Sequence, residues 1–197
     1  LIAMSLSKNS FDNSTSSIVG QKYINELQDF RVTPLSIFQI CFSKTAASLM
    51  RGIIVGIITF FVGEAFYFSS YTSFLNIANL PIFLFFITFT GLAFGSLGIA
   101  VGMWAKSFEH IGAISMLVLL PLIYLGGVFF NLDNAHPFWQ TLSHFNPLFY
   151  IINGVRLGML GNSDISLKLA IAVTLIFFFI CYTLALISLR KGFRYIR

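Results

Sequence analysis

The residues of this chain best suited to chemistry are charges set in or beside apolar sequence. Arg51 and Glu64 lie inside one long apolar run, and Lys8 and Asp12 stand four apart in a Ser- and Asn-rich opening segment. A charge at bilayer depth costs ~2.5–3.5 kcal/mol on insertion scales, so such a residue faces protein, water or the nearer interface. For Arg51 and Glu64 two readings stand: a polar lining of a substrate path, or snorkelling to the interface. The long Arg51 side chain suits snorkelling, whereas the short Glu64 side chain reaches poorly. If the opening segment is helical, Lys8 and Asp12 share a face and can pair. With Ser5, Asn13 and Ser16 they would form a hydrophilic strip. The candidate substrate path is therefore Lys8, Asp12 and Glu64.

Patterns for covalent or metal chemistry do not emerge. Ser96 follows Gly95, but no G-x-S-x-G stretch surrounds it, and His110, His136 and His144 fall at the ends of apolar runs or in interrupted sequence. There is no H-E-x-x-H and no P-loop, so hydrolysis of ATP by that route is excluded for this chain. Cys41 and Cys181 form no C-x-x-C or Cys/His cluster, and no metal site is indicated.

The elements that carry these residues are read from hydropathy. Of 197 residues, 57% are hydrophobic, only 10% are charged and 24 are Phe. An ordinary soluble domain carries about 25% charged residues. Four apolar runs, Ala46–Phe68, Leu80–Ala105, Ile111–Phe130 and Leu167–Leu189, each reach the roughly 20 residues needed to cross a hydrocarbon core. They lack the short alternation of a barrel, so they are expected to be helices. The fold class is all-α, a polytopic transmembrane helical bundle. Two regions stay open. Leu1–Val19 reads either as a solvated loop or as the polar, inward-facing half of a helix. His136–Leu160 is broken by Pro137 and Pro147 and rich in aromatics, which suits a re-entrant or interfacial helical pair.

Charge placement sets the expected topology. Lys22, Arg31, Lys44, Lys106, Arg190, Lys191, Arg194 and Arg197 fall on one side of the four spans, against Arg156 and Lys168 on the other. The positive-inside rule puts the first group, and the C-terminus, in the cytoplasm. The net charge of +5 is thus a topology signal and not a nucleic-acid footprint. Gly52-x-x-x-Gly56, Gly91-x-x-x-Gly95 and Gly98-x-x-x-Gly102 allow close helix approach. The last two pairs predict that the second run packs inside the protein or against a second copy. Pro121, inside the third run and followed by Gly126 and Gly127, predicts a kinked, deformable hinge.

Taken in order, these features resemble a known family. Tyr23-Ile24-Asn25-Glu26-Leu27-Gln28-Asp29-Phe30-Arg31-Val32-Thr33-Pro34-Leu35-Ser36 is similar to the cytoplasmic loop of ABC-2 type permeases. Pro121 to Phe130 looks like the family's fifth span. Phe145-Asn146-Pro147-Leu148-Phe149-Tyr150 with Asn153-Gly154-Val155-Arg156 resembles its outer segment. The resemblance implies one ABC-2 transmembrane domain over 1–197, a coupling loop over 20–44 and an outer re-entrant region over 131–166 that holds Asn146, Pro147 and Arg156. It implies that the four runs are the third to sixth spans, and that Leu1–Val19 is the inner half of the second. A first span would then precede Leu1, which agrees with the absence of an initiator Met.

The resemblance also implies a division of labour. The chain would be the permease of an ATP-binding-cassette exporter in the cytoplasmic (inner) membrane, moving an amphiphile, glycan or drug-like substrate. It would carry no cofactor, with ATP and Mg on a separate cytosolic ABC ATPase subunit. A second permease copy would complete the path, and Glu26, Leu27, Phe30, Arg31 and Pro34 would dock the coupling loop to the ATPase. The competing readings are an ion-coupled secondary carrier and, disfavoured by the missing catalytic motifs, an intramembrane enzyme; the carrier is the stronger of the two. That mechanism wants paired intramembrane acids, and Glu64 alone lies well inside a clear run.

Overall fold

The computed structural model describes residues 1–26, 34–71, 77–127, 136–163 and 165–195. Among these residues the protein is helical, with no strand. Helix α1 spans Ile2–Tyr23, α2 Ile37–Tyr71 and α3 Leu80–Trp104. A composite helix follows: α4 (Phe108–Ile114), a π-helical turn (Ser115–Leu119) and α5 (Leu120–Tyr124). Two shorter helices, α6 (Pro137–His144) and α7 (Pro147–Leu160), precede the long α8 (Leu167–Tyr195).

The open question at the start of the chain resolves as a helix. Ser and Asn disfavour helices by competing for backbone bonds. Here they bond back onto their own helix: Ser7 Oγ donates to the Ala3 carbonyl and Thr15 Oγ1 to that of Phe11, each at 2.6 Å. Ser16 Oγ and Asn9 Nδ2 do the same to Asp12 and Ser5. Ser7 and Thr15 are thus satisfied within the helix and Ser14 by Ser48 of α2, so α1 can bury them, with Ser10, alongside Leu6, Phe11 and Ile18. Asn25, at φ 58°, adopts the left-handed conformation just beyond the helix end.

Among the described residues three helices are long and apolar enough to cross a membrane: Ile37–Ser70, Leu80–Trp104 and Leu167–Gly192. The central one is α3, more than half buried over its most apolar stretch, whereas α2 and α8 bury only about a fifth of theirs. Against α3 pack α1, α2, α7 and α8. Helix α2 has 35 residues, about 52 Å at 1.5 Å per residue, and so outruns a hydrocarbon core of ~30 Å. The loop expected over 20–44 is accordingly shorter, because α1 continues to Tyr23 and α2 begins at Ile37. A reciprocal cap starts α2. The Gln39 N–H donates to Ser36 Oγ at 3.2 Å, and the Ser36 N–H donates to Gln39 Oε1 at 2.9 Å.

The third expected span, Ile111–Phe130, departs most from the sequence reading. Its described part is the Phe108–Tyr124 helix, which ends in a turn with Gly127 at φ 78°; residues 128–135 lie outside the described residues. Pro121 has no N–H and crowds the carbonyl four residues back. The π turn just before it widens the helix: the Leu120 N–H bonds to Ser115, five residues back.

Glycines explain how the helices sit so close. A Cβ on Gly98 would lie 2.5 Å from the Phe11 carbonyl oxygen, and one on Gly102 3.0 Å from Ile18 Cβ, so both glycines abut α1. Gly91 and Gly95 abut α2 at Leu49, Ser48 and Thr45. Further along α3, Gly158 of α7 meets Phe83. There the Asn79 N–H donates to the Gly158 carbonyl at 2.8 Å. The proline-broken region therefore folds as two helices, with α7 pressed onto the start of α3.

Candidate functional site

The seam between α1 and α2 collects polar side chains along the bundle. The helices run antiparallel, and their rungs can be followed in order. Thr59 Oγ1 donates to Ser5 Oγ at 3.0 Å. Ser48 Oγ accepts from Asn13 Nδ2 at 3.1 Å and shares a hydrogen bond with Ser14 Oγ. Arg51 Nη1 donates to Asn13 Oδ1 at 3.0 Å, and Lys44 Nζ reaches Ser17 and Gln21. Interhelical bonds of this kind average ~0.6 kcal/mol in a membrane bundle, so several in series fix register more than they add stability. Arg51 is exposed apart from this rung, which combines a structural bond with reach toward the interface.

The neighbouring face of α1 carries the charge pair. Lys8 Nζ contacts Asp12 Oδ2 at 2.6 Å, and both side chains are partly open, at 41% and 33% exposure. The other Asp12 oxygen accepts from Ser115 Oγ at 3.1 Å. Ser115 begins the π turn, so the widened helix and the charge pair belong to one constellation. Sequence reading had assigned no role to Ser115; its place six residues before Pro121 was the available signal. Beside it Met116, Leu117 and Val118 are strongly exposed.

Glu64 is not part of that cluster. It lines a separate cleft with Ile2, Thr59, Phe60, Tyr67 and Ser70. Ile2 and Lys8 are six residues apart on α1, which places this cleft about 9 Å along the axis from the charge pair. The three candidate path residues thus occupy two levels of the bundle.

The remaining sequence candidates distribute as follows. Asn146 caps α7 by accepting from the Leu148 N–H at 3.0 Å, and its Nδ2 donates to the Leu122 carbonyl at 2.6 Å, beyond the π turn. Pro147 opens α7. Arg156 Nη2 donates to the Gly127 carbonyl at 3.3 Å. Residues Asn146 and Arg156 therefore both hold the end of the composite helix against α7. In the coupling loop Glu26 and Pro34 are exposed, and Leu27, Phe30 and Arg31 lie outside the described residues.

Long apolar helices around a glycine-lined central helix, with a polar seam beside it, define a multi-pass helical membrane protein. The chain matches the ABC-2 type transporter family over residues 1–160, and it belongs to that family of membrane transport permeases. It is 32% identical to the inner membrane transport permease YadH of Escherichia coli K12 over 192 residues, 98% of this chain and 73% of that protein. It is 30% identical to nodulation protein J of Rhizobium leguminosarum bv. viciae over 154 residues, 78% of this chain and 55% of that protein. Nodulation protein J of Neorhizobium galegae is 32% identical over 133 residues, 66% of this chain and 47% of that protein.

Proposed function

We propose that this permease is the transmembrane subunit of an ATP-binding-cassette exporter in the inner membrane. It moves an amphiphile, glycan or drug-like substrate with energy from ATP hydrolysed on a partner subunit. The observation that carries the reading is family membership over residues 1–160. The description of YadH as an inner membrane transport permease supports the location. The eight-to-two placement of Lys and Arg supports a cytoplasmic C-terminus and a cytoplasmic 24–36 loop.

In this reading the loop docks on the ATPase through Glu26, Leu27, Phe30, Arg31 and Pro34. Their mixture of charge around an apolar centre suits a small protein interface. The ligand-dependent states of the ATPase then bias the permease between inward- and outward-open forms. Lys8, Asp12 and Ser115 give polar footing to the substrate path, with Glu64 further along. A second permease copy completes that path, and the exposed Met116–Val118 face beside Asp12 suits a partner helix. Purification of the full-length permease tests the reading: a P-loop ATPase should co-purify. Charge reversal at Glu26 and Arg31 together should uncouple ATP hydrolysis from transport while membrane insertion persists. Wild-type coupling in that variant would contradict the docking assignment.

A further inference from the structure

Where α1 ends it makes three contacts that topology does not require. A lysine at a membrane interface ordinarily turns its ammonium to water. Lys22 instead points it at another helix, donating to the carbonyls of Gly102 at 2.8 Å, Met103, and Ala105 at 2.9 Å. The last carbonyls of a helix lack intrahelical partners and carry the negative end of its dipole. An ammonium has three N–H bonds, and all three are used here to cap α3. One turn earlier on α1, Val19 is fully buried against Ala105 and Ile111. One residue later, the Tyr23 ring lies flat on that of Phe108, with centroids 5.5 Å apart and planes 3° from parallel.

Together these contacts grip the tight 105–107 turn from both sides. Lys22 holds the end of α3, and Tyr23 holds the start of α4. Both are the last residues of α1 before the 24–36 loop. From Phe108 the chain climbs two turns to Ser115, whose hydroxyl bonds Asp12 on the same α1. The π turn and Pro121 supply the compliant part of that helix.

We propose that Lys22 and Tyr23 are positioning residues that transmit movement of the 24–36 loop to the α3–α4 turn, and through α4 to the π turn at Ser115. The inference rests on docking of that loop to an ATPase subunit. Its test is hydrogen exchange on the full-length permease–ATPase complex in lipid nanodiscs, with and without a non-hydrolysable ATP analogue. In the wild-type complex the nucleotide should alter exchange in peptides covering 24–36 and also in those covering 105–114. In Lys22→Met the 24–36 response should persist, while the 105–114 response falls by about tenfold, within the range of typical coupling between sites. Lys22→Arg, which can still donate to the carbonyls, should recover part of it. Tyr23→Leu, which keeps an apolar cover on Phe108, should weaken the response without unfolding the end of α1.

Transport per ATP hydrolysed should fall in step with the 105–114 response. If 24–36 responds in the wild type but 105–114 does not, the transmission role is overturned and docking stands. An equal rise in exchange at 105–114 of Lys22→Met in both nucleotide states, with the difference preserved, marks a cap only and likewise overturns it. If 24–36 itself is indifferent to nucleotide in the wild type, the docking reading fails and the inference falls with it.

Discussion

Gly98→Ala is the sharpest probe of how α1 is held. The added Cβ would lie 2.5 Å from the Phe11 carbonyl oxygen, 2.9 Å from Ser14 Cβ and 3.0 Å from Thr15 Oγ1. The nearest of these is backbone, which no rotamer change can clear. An ordinary carbon–oxygen contact is about 3.3 Å, so α1 must retreat by roughly 0.8 Å. A gap of that order forfeits about a quarter to a half of the dispersion attraction at each contact along the seam. Overpacking of this kind costs about 1–3 kcal/mol, or about 2–12 °C in Tm at ~2–4 °C per kcal/mol for a chain of this size. The control is Gly63→Ala, where a Cβ meets nothing within 4 Å. There the helix gains up to ~1 kcal/mol of intrinsic propensity. Thermal unfolding of the purified full-length permease in one detergent, followed by size-exclusion chromatography, reads both. Wild-type melting of Gly98→Ala, or equal loss in Gly63→Ala, would refute the close α1–α3 approach.

Asn146→Ala should lose the α7 cap and the bond to the Leu122 carbonyl, lowering stability by about 1 kcal/mol in the same melt. Pro121→Ala restores an N–H and should favour regular α-helix at 115–121, seen as slower amide exchange there together with reduced transport. Asp12→Asn keeps the size of the side chain but removes the Lys8 ion pair. Folding and membrane insertion should be retained while transport of a polar-headed substrate falls severalfold, read in inverted vesicles.

Legibility in the sequence followed how each element gains its stability. Helices α2, α3 and α8 are stable in lipid by length and apolarity, so run length revealed them. The stripe Gly91, Gly95, Gly98 and Gly102 was visible as spacing, but which partner each residue meets depends on tertiary approach. Helix α1 was ambiguous because Ser and Asn are weak helix formers on propensity scales. Only back-bonding to its own carbonyls and burial against α3 make it a helix. Pro121 was legible as a break in the third run, whereas the π turn at Ser115–Leu119 just before it carries no sequence signature of its own. Lys22 read as one more topology charge, and its capping role appears only once α3 ends beside it. The Ser36–Gln39 cap was written as S-x-x-Q two residues after Pro34, and it marks where α2 starts. In the candidate site, charges were readable as types, while the separation of Glu64 from Lys8 and Asp12 followed from the register of α1 against α2.

In the proposed function, substrate crosses through this permease only when a partner subunit hydrolyses ATP. The full-length permease should be reconstituted with its co-purifying ATPase in vesicles loaded with a fluorescent amphiphile, with ATP on the ATPase side. Net movement of the amphiphile away from that side is expected. Replacing the P-loop lysine of the ATPase should abolish that movement. Equal movement with the inactive ATPase, or movement driven by an ion gradient without ATP, would contradict the proposed function.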